Sequence, residues 1–205
     1  MKGKIFGILL ILVGASIIGW GFYMNYQGEK VKNDLIESFE RDLKAMEGWE
    51  ELNRDEGSEN SADNQDNPSR PATNSKAIAM LEIPKLDLMV PVVEGTDPKD
   101  IKYAVGHFKD TDMPGTTGNF AIAGHRSYTY NEYFNRLDEL ENGDTIKVKT
   151  IDGKMYTYKV FEKLVVEPEE TSVLMSTEEP IITLVTCTPI RKATHRLIVK
   201  GKLVQ

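Results

Sequence analysis

The stretch that decides the fold is Ile181-Ile-Thr-Leu-Val-Thr-Cys187-Thr-Pro189-Ile-Arg-Lys-Ala-Thr-His195-Arg196-Leu-Ile-Val-Lys-Gly201. Its opening residues, Ile181 to Thr186, are β-branched or apolar and read as a strand. Pro189 has no N–H to give a sheet ladder, so the strand is expected to stop just after Cys187 and pass into a loop. Thr194 to Val199 reads as a second strand. Arg196 stands nine residues after the thiol, so a hairpin-like return predicts a guanidinium beside the sulfur at one end of a sheet. Cys187 is the only cysteine. It cannot form an internal disulfide, and in an oxidising compartment a leftover thiol is a candidate reactive group. The plainer alternative is a small buried hydrophobe.

Upstream, Thr145 to Thr150 and Met155 to Val166 are strand patterns around Ile151-Asp152-Gly153, and Asp-Gly favours a tight hairpin turn. Glu167 to Glu179 is acidic and turn-like, set between Pro168 and Pro180. Ala77 to Ile83 reads as a strand broken by Pro84, and Leu86 to Val93 as another, with Pro91 marking an edge or bulge. Asp97 to Val105 predicts a short helix, with Asp97 as cap and Pro98 at its first position. Met113 to Asn119 is turn-rich, Phe120 to Ala123 is a short strand ending at Gly124-His125-Arg126, and Asn131 to Leu140 predicts a helical turn or two. The reading for residues 76–205 is therefore all-β, with about eight short strands and minor helices. A closed or nearly closed barrel hides the edges of such a sheet.

The N-terminal third has a different character. Residues 1–4 form a short tail, and Ile5 to Met24 is a charge-free run of twenty residues, which as a helix measures about 30 Å and predicts one membrane crossing. A cleaved signal peptide would have a shorter apolar core and a small-x-small cleavage site, which Met24-Asn-Tyr-Gln-Gly28 does not offer. Lys2 and Lys4 on one side are matched by Lys30 and Lys32 on the other, so lysine counting leaves the orientation open. Within 25–52, Val31, Leu35, Ile36, Phe39, Leu43, Met46 and Trp49 recur at spacings of three and four and predict an amphipathic helix, leaning on the membrane or the domain or self-associating. Residues 53–75 hold Gly57, Pro68, Pro71 and many Ser, Asn and Asp. With so little to bury, they read as a disordered tether.

The 205 residues carry 32 acidic and 25 basic side chains, a formal net charge of −7, which disfavours a nucleic-acid partner. Three histidines compete for acid–base work: His107, His125 and His195. On the residues alone the three are equal candidates: His195 alternates with Arg196 along a strand, so it faces away from a site only if Arg196 faces it, and His107 has the plainer reading of a structural loop histidine. No group of His, Cys and carboxylates has zinc-site spacing, so neither a metal nor a cofactor is expected.

Taken together, Thr183-Leu184-Val185-Thr186-Cys187 followed by Arg196, with Gly124-His125-Arg126 and Pro114-Gly115…Gly118-Asn119 upstream and an N-terminal anchor, resembles the sortases, cysteine transpeptidases of Gram-positive cell surfaces. The resemblance spans about Ala77 to Leu203. It implies an eight-stranded barrel with the site at one end, an N-terminus inside the cell and a catalytic domain outside. It implies Cys187 as nucleophile, His125 as general acid and then base, and Arg196 as donor to the substrate backbone and oxyanion. The implied reaction cleaves a Leu-Pro-x-Thr-Gly-like sorting signal of secreted proteins through a thioacyl enzyme. An amine on peptidoglycan or its lipid-linked precursor then resolves it. Cys187-Thr-Pro189 and Thr194-His-Arg196 resemble the pilin-polymerising group. However, the pre-barrel Asp66-Asn-Pro68 has no aromatic neighbour to form a lid, and the chain ends directly after a strand. The whole is most like class D, and anchoring is expected over polymerisation. An L,D-transpeptidase is the rival enzyme, but its His-Gly-Cys-x-Arg stretch is absent; a tethered binding module with a buried Cys187 is the non-enzymatic rival.

Overall fold

The computed structural model describes residues 2–52, 76–126 and 133–204. A helix, α1, covers Lys2–Leu52, and eight strands follow: β1 Ala77–Ile83, β2 Leu88–Glu94, β3 Val105–His107, β4 Asn119–Ala123, β5 Thr145–Thr150, β6 Met155–Val166, β7 Ile181–Thr188 and β8 His195–Leu203. They close into a barrel in the order β1-β2-β3-β4-β7-β8-β6-β5. The pairs β2–β3 and β4–β7 are parallel and all others antiparallel. Alternate residues point inward, so Leu81 and Ile83, Val90 and Val92, Ile146 and Val148 stand in one core. Closure leaves no edge exposed.

Several local expectations are corrected. Residues 97–101 make a single turn, closed by the N–H groups of Asp100 and Ile101 on the Asp97 carbonyl, and the chain then enters β3. The helix expected over Asp97 to Val105 does not form, because Val105 to His107 pairs with both β2 and β4. At three residues β3 is too short for alternation to reveal it. The second strand begins at Leu88 rather than Leu86, since Pro84–Leu86 is a 3-10 turn. Past residues 131 and 132, which lie outside the described residues, the segment to Leu140 holds turns and a 3-10 helix, Leu137–Glu139. Pro91 is buried inside β2, and pairing to β3 starts only at Val92. Its missing N–H therefore costs no bond on that flank.

The tether read over 53–75 lies outside the described residues. The separate anchor and juxtamembrane helices expected before it are one continuous element. Its second half leans on the barrel: Leu35 packs with Val93 and Ala104, and Phe39 with Ala77 and Met80. Asp42 pairs with Lys76 at 2.9 Å. In its first half Ile11, Leu12, Ile17, Ile18, Trp20 and Phe22 are exposed. Among the described residues no helical stretch is long and apolar enough to cross a membrane; the side chains of residues 1–6 and 8–10 lie outside that description.

The β6–β7 connection is fixed from below. Asn119, fully buried, donates through Nδ2 to the carbonyls of Val173 at 3.0 Å and Met175 at 3.2 Å, and accepts from Thr183 Oγ1 at 2.7 Å. A buried amide needs such partners, and here they join loop, β4 and β7.

Candidate active site

The register of β4 and β7 sets the site. Asn119 to Ala123 pair in parallel with Ile181 to Val185, and beyond the last pair two further bonds keep the same offset of 62 residues. Thr186 Oγ1, buried, donates to the Gly124 carbonyl at 2.7 Å. Arg126 Nη1 donates to Thr188 Oγ1 at 3.0 Å. The Gly124 N–H donates to the Val185 carbonyl at 3.1 Å. His125 and Cys187 occupy the position between these ties, one at the end of β4 and the other at the end of β7.

On the other flank, Cys187 pairs directly with Arg196 across β7 and β8, and Thr188 with His195. His125, Cys187 and Arg196 thus stand at one level on neighbouring strands, at the same end of the barrel. The hairpin return expected from the sequence is present, with residues 189–194 as its loop. The Arg196 guanidinium directs Nη1 at the carbonyls of His195, 3.1 Å, and Ala193, 3.3 Å. A guanidinium's fork retains further N–H donors beyond such bonds.

His125 is partly buried, and that desolvation disfavours imidazolium, holding its pKa below the ordinary 6.5. Cys187 is a free thiol of intermediate exposure, neither sealed in the core nor fully open. Gly124 is required here by space: a side chain would meet the Phe134 ring at 2.5 Å. The Phe134 N–H in turn donates to the His125 carbonyl at 3.1 Å. The imidazole's backbone is therefore held from both sides.

The other histidines are placed elsewhere. His107 is 2 % exposed, with Nδ1 against Glu94 Oε2 at 3.1 Å and Nε2 within 3.1 Å of Thr111 Oγ1. Its ring is satisfied on both nitrogens. His195 turns to Glu167 at 3.2 Å and to Thr194 Oγ1 at 2.9 Å. A cavity of about 420 Å³ lies between the 95–97 and 108–111 segments and the β6–β7 connection, where Thr171, Leu174 and Met175 form a wall. None of His125, Cys187 and Arg196 lines it.

Thr186, Thr188 and Arg126 all sit in stretches that the sequence reading singled out, but it assigned them no role; their ties across β4 and β7 went unread. Only the parallel register aligns these residues, and no spacing within one strand carries it.

A closed eight-stranded barrel with a partly exposed thiol, an imidazole and an arginine at one end is the arrangement expected of a cysteine transpeptidase of the sortase type. The chain belongs to the sortase family: the sortase domain matches residues 81–204. Sortase D of Bacillus subtilis (strain 168) is 32% identical over 208 residues, covering 98% of each chain. Sortase SrtE1 of Streptomyces coelicolor is 39% identical over 150 residues, 63% of this chain and 41% of that protein. Among solved structures, the Clostridium perfringens sortase D5 transpeptidase superposes with a TM-score of 0.67 at 31% identity, covering 86% of this chain and 99% of that one. The resemblance to class D stands on these sortase D matches.

Proposed function

We propose that Cys187 is the nucleophile, His125 the proton carrier and Arg196 the oxyanion and backbone donor of a protein-anchoring transpeptidase. The observation that carries this reading is the alignment of the three on adjacent strand ends, β4, β7 and β8. In the first step the Cys187 thiolate adds to the carbonyl carbon of the scissile Thr-Gly bond, or its equivalent, in a Leu-Pro-x-Thr-Gly-like signal. The oxyanion that forms accepts hydrogen bonds from the Arg196 fork. Collapse expels the amine, which takes a proton from imidazolium His125 and leaves a thioester. In the second step an amine on peptidoglycan or its lipid-linked precursor adds to the thioester and gives its proton to neutral His125, and the thiolate departs. Burial of His125 favours the neutral form that this second step uses.

The chain divides, in this proposal, into a cytoplasmic tail (1–4), a membrane anchor (5–24), a juxtamembrane helical part (25–52), a tether (53–75) and the catalytic domain (76–205) on the outer face. Support for the anchor is the charge-free run itself, with its exposed Ile17, Ile18, Trp20 and Phe22. The course of α1 adds a consequence. Gly28 lies against the Tyr103 ring, where a methyl group would meet it at 3.5 Å, and Phe39 clusters with Ala77 and Met80, where Ile151 also packs, at the far end of the barrel. Burial first, then Glu29 and Tyr103, push the Tyr133 phenol above its usual value; Tyr133 adjoins the Phe134 that holds His125. An anchor at 5–24 would therefore present the Cys187 end toward the bilayer, at the height of a lipid-linked amine.

The test is turnover of a sorting peptide by the purified chain. Cys187→Ala is expected to abolish both transpeptidation and hydrolysis while the barrel stays folded, and His125→Ala to be nearly as damaging. Residual turnover by Cys187→Ala sinks the assignment.

A further inference from the structure

We propose that Arg126, together with Thr188, is a positioning clamp that fixes the separation of His125 and Cys187. The residues flanking the histidine are bonded to the residues flanking the cysteine, one pair on each side: Gly124 with Thr186, and Arg126 with Thr188. Arg126 makes three attachments. Nη1 holds Thr188 Oγ1 at 3.0 Å, Nη2 holds Asp138 Oδ1 at 2.8 Å, and Nε donates to the Asn135 carbonyl at 3.2 Å. Its side chain is only 6% exposed.

A guanidinium taken that far out of water is costly unless every arm is engaged. Here the arms reach three separate segments: the end of β7, the 3-10 turn at Leu137–Glu139 and the backbone ahead of it. The β4–β7 ladder ends at Ala123 and Val185, so no pairing between these two strands reaches the level of His125 and Cys187. The two side-chain ties continue the register that the ladder drops. A lysine could replace the charge but not three directions at once.

This role rests on His125 and Cys187 being the reacting pair. Without the clamp both groups remain present and their mean separation is no longer fixed. Misplacement of about 1 Å lowers turnover by around 10²-fold. The expected signature is a fall in kcat of about tenfold to a hundredfold with KM little changed.

The experiment uses the full chain in detergent micelles and compares Thr188→Val, Arg126→Met, their combination and Arg126→Lys. Peptide turnover, thermal unfolding and the His125 titration followed by NMR are measured on each. Thr188→Val removes one bond and leaves the Asp138 pair, so it keeps the proposal testable if Arg126→Met does not fold. Expected are a lowered kcat in Thr188→Val and Arg126→Lys, a double variant no worse than Arg126→Met alone, and a His125 midpoint that moves up toward 6.5 as the imidazole gains water. If Thr188→Val keeps wild-type kcat and an unmoved His125 midpoint, the clamp is wrong and Arg126 serves stability only. Turnover persisting in Cys187→Ala would instead remove the reacting pair itself, a separate failure.

Discussion

At the scale of single residues, Arg196 separates charge from geometry. Lysine would keep the positive charge beside Cys187; a planar fork aimed at an oxyanion is beyond lysine. Arg196→Lys is therefore expected to lose about 10²-fold to 10³-fold in turnover while Cys187 remains open to a small alkylating agent. Near-normal peptide turnover in that variant would show that charge alone suffices. His125 gives a pH test. Its folded pKa lies below 6.5 through burial, so between that value and 6.5 the unfolded chain binds more protons than the native one. Stability contributed by this group is thus present above 6.5 and is lost as pH falls through the window. An NMR midpoint for His125 at or above 6.5 in the free enzyme contradicts the burial.

At the scale of elements, the docking of α1 on the barrel is a small interface centred on Phe39, 2 % exposed. Truncating a buried Phe to Ala costs about 3 to 5 kcal/mol where the site cannot collapse. Phe39→Ala is expected to lower the thermal midpoint of the full chain by about 6 °C or more and to open the second half of α1 to protease, with the barrel's site chemistry retained. An unchanged midpoint would mean that the helix contributes nothing to the folded domain. Asn119 is the corresponding device inside the barrel. Asn119→Ala leaves the Val173 and Met175 carbonyls and Thr183 Oγ1 without their partner, a cost of about 1 to 3 kcal/mol for a buried group. Faster amide exchange in residues 172–175 is the expected readout, and exchange as slow as in the parent chain would show that the connection is held by other contacts.

At the scale of the whole molecule, the tether proposed over 53–75 and the docked helix make a joint prediction. Protease added to intact cells is expected to cut within 53–75, since the proposed topology puts that segment outside. The barrel still touches α1 through Phe39, Leu35 and the Asp42–Lys76 pair, so a nicked Phe39→Ala protein should shed its barrel more readily than the parent. Cutting that requires permeabilised cells would place the chain on the other side and overturn the anchoring function. A lipid-headgroup quencher is expected to dim a fluorophore on the β7–β8 loop more than one on the Ile151–Lys154 turn. The reverse order would turn the barrel over.

Much of this was legible in residue order. Strand composition and punctuation by Pro84, Pro189 and Asp152-Gly153 read out seven strands, because each decision is local: a missing N–H, a favoured turn, an alternation long enough to count. The thiol at the end of a strand and the arginine on its return were likewise readable, since a hairpin joins near neighbours in sequence. His125 was singled out only through family resemblance, because its partner lies 62 residues away across a parallel pair, and parallel register is set by the whole closed sheet rather than by any turn. For the same reason the pairing of Thr186 with Gly124 and of Thr188 with Arg126 had no signal, although all four stand in motifs the sequence showed. The three-residue β3 and the docking of α1 also belonged to tertiary structure: one is too short for a period, and the other depends on which apolar barrel face lies opposite an amphipathic stripe.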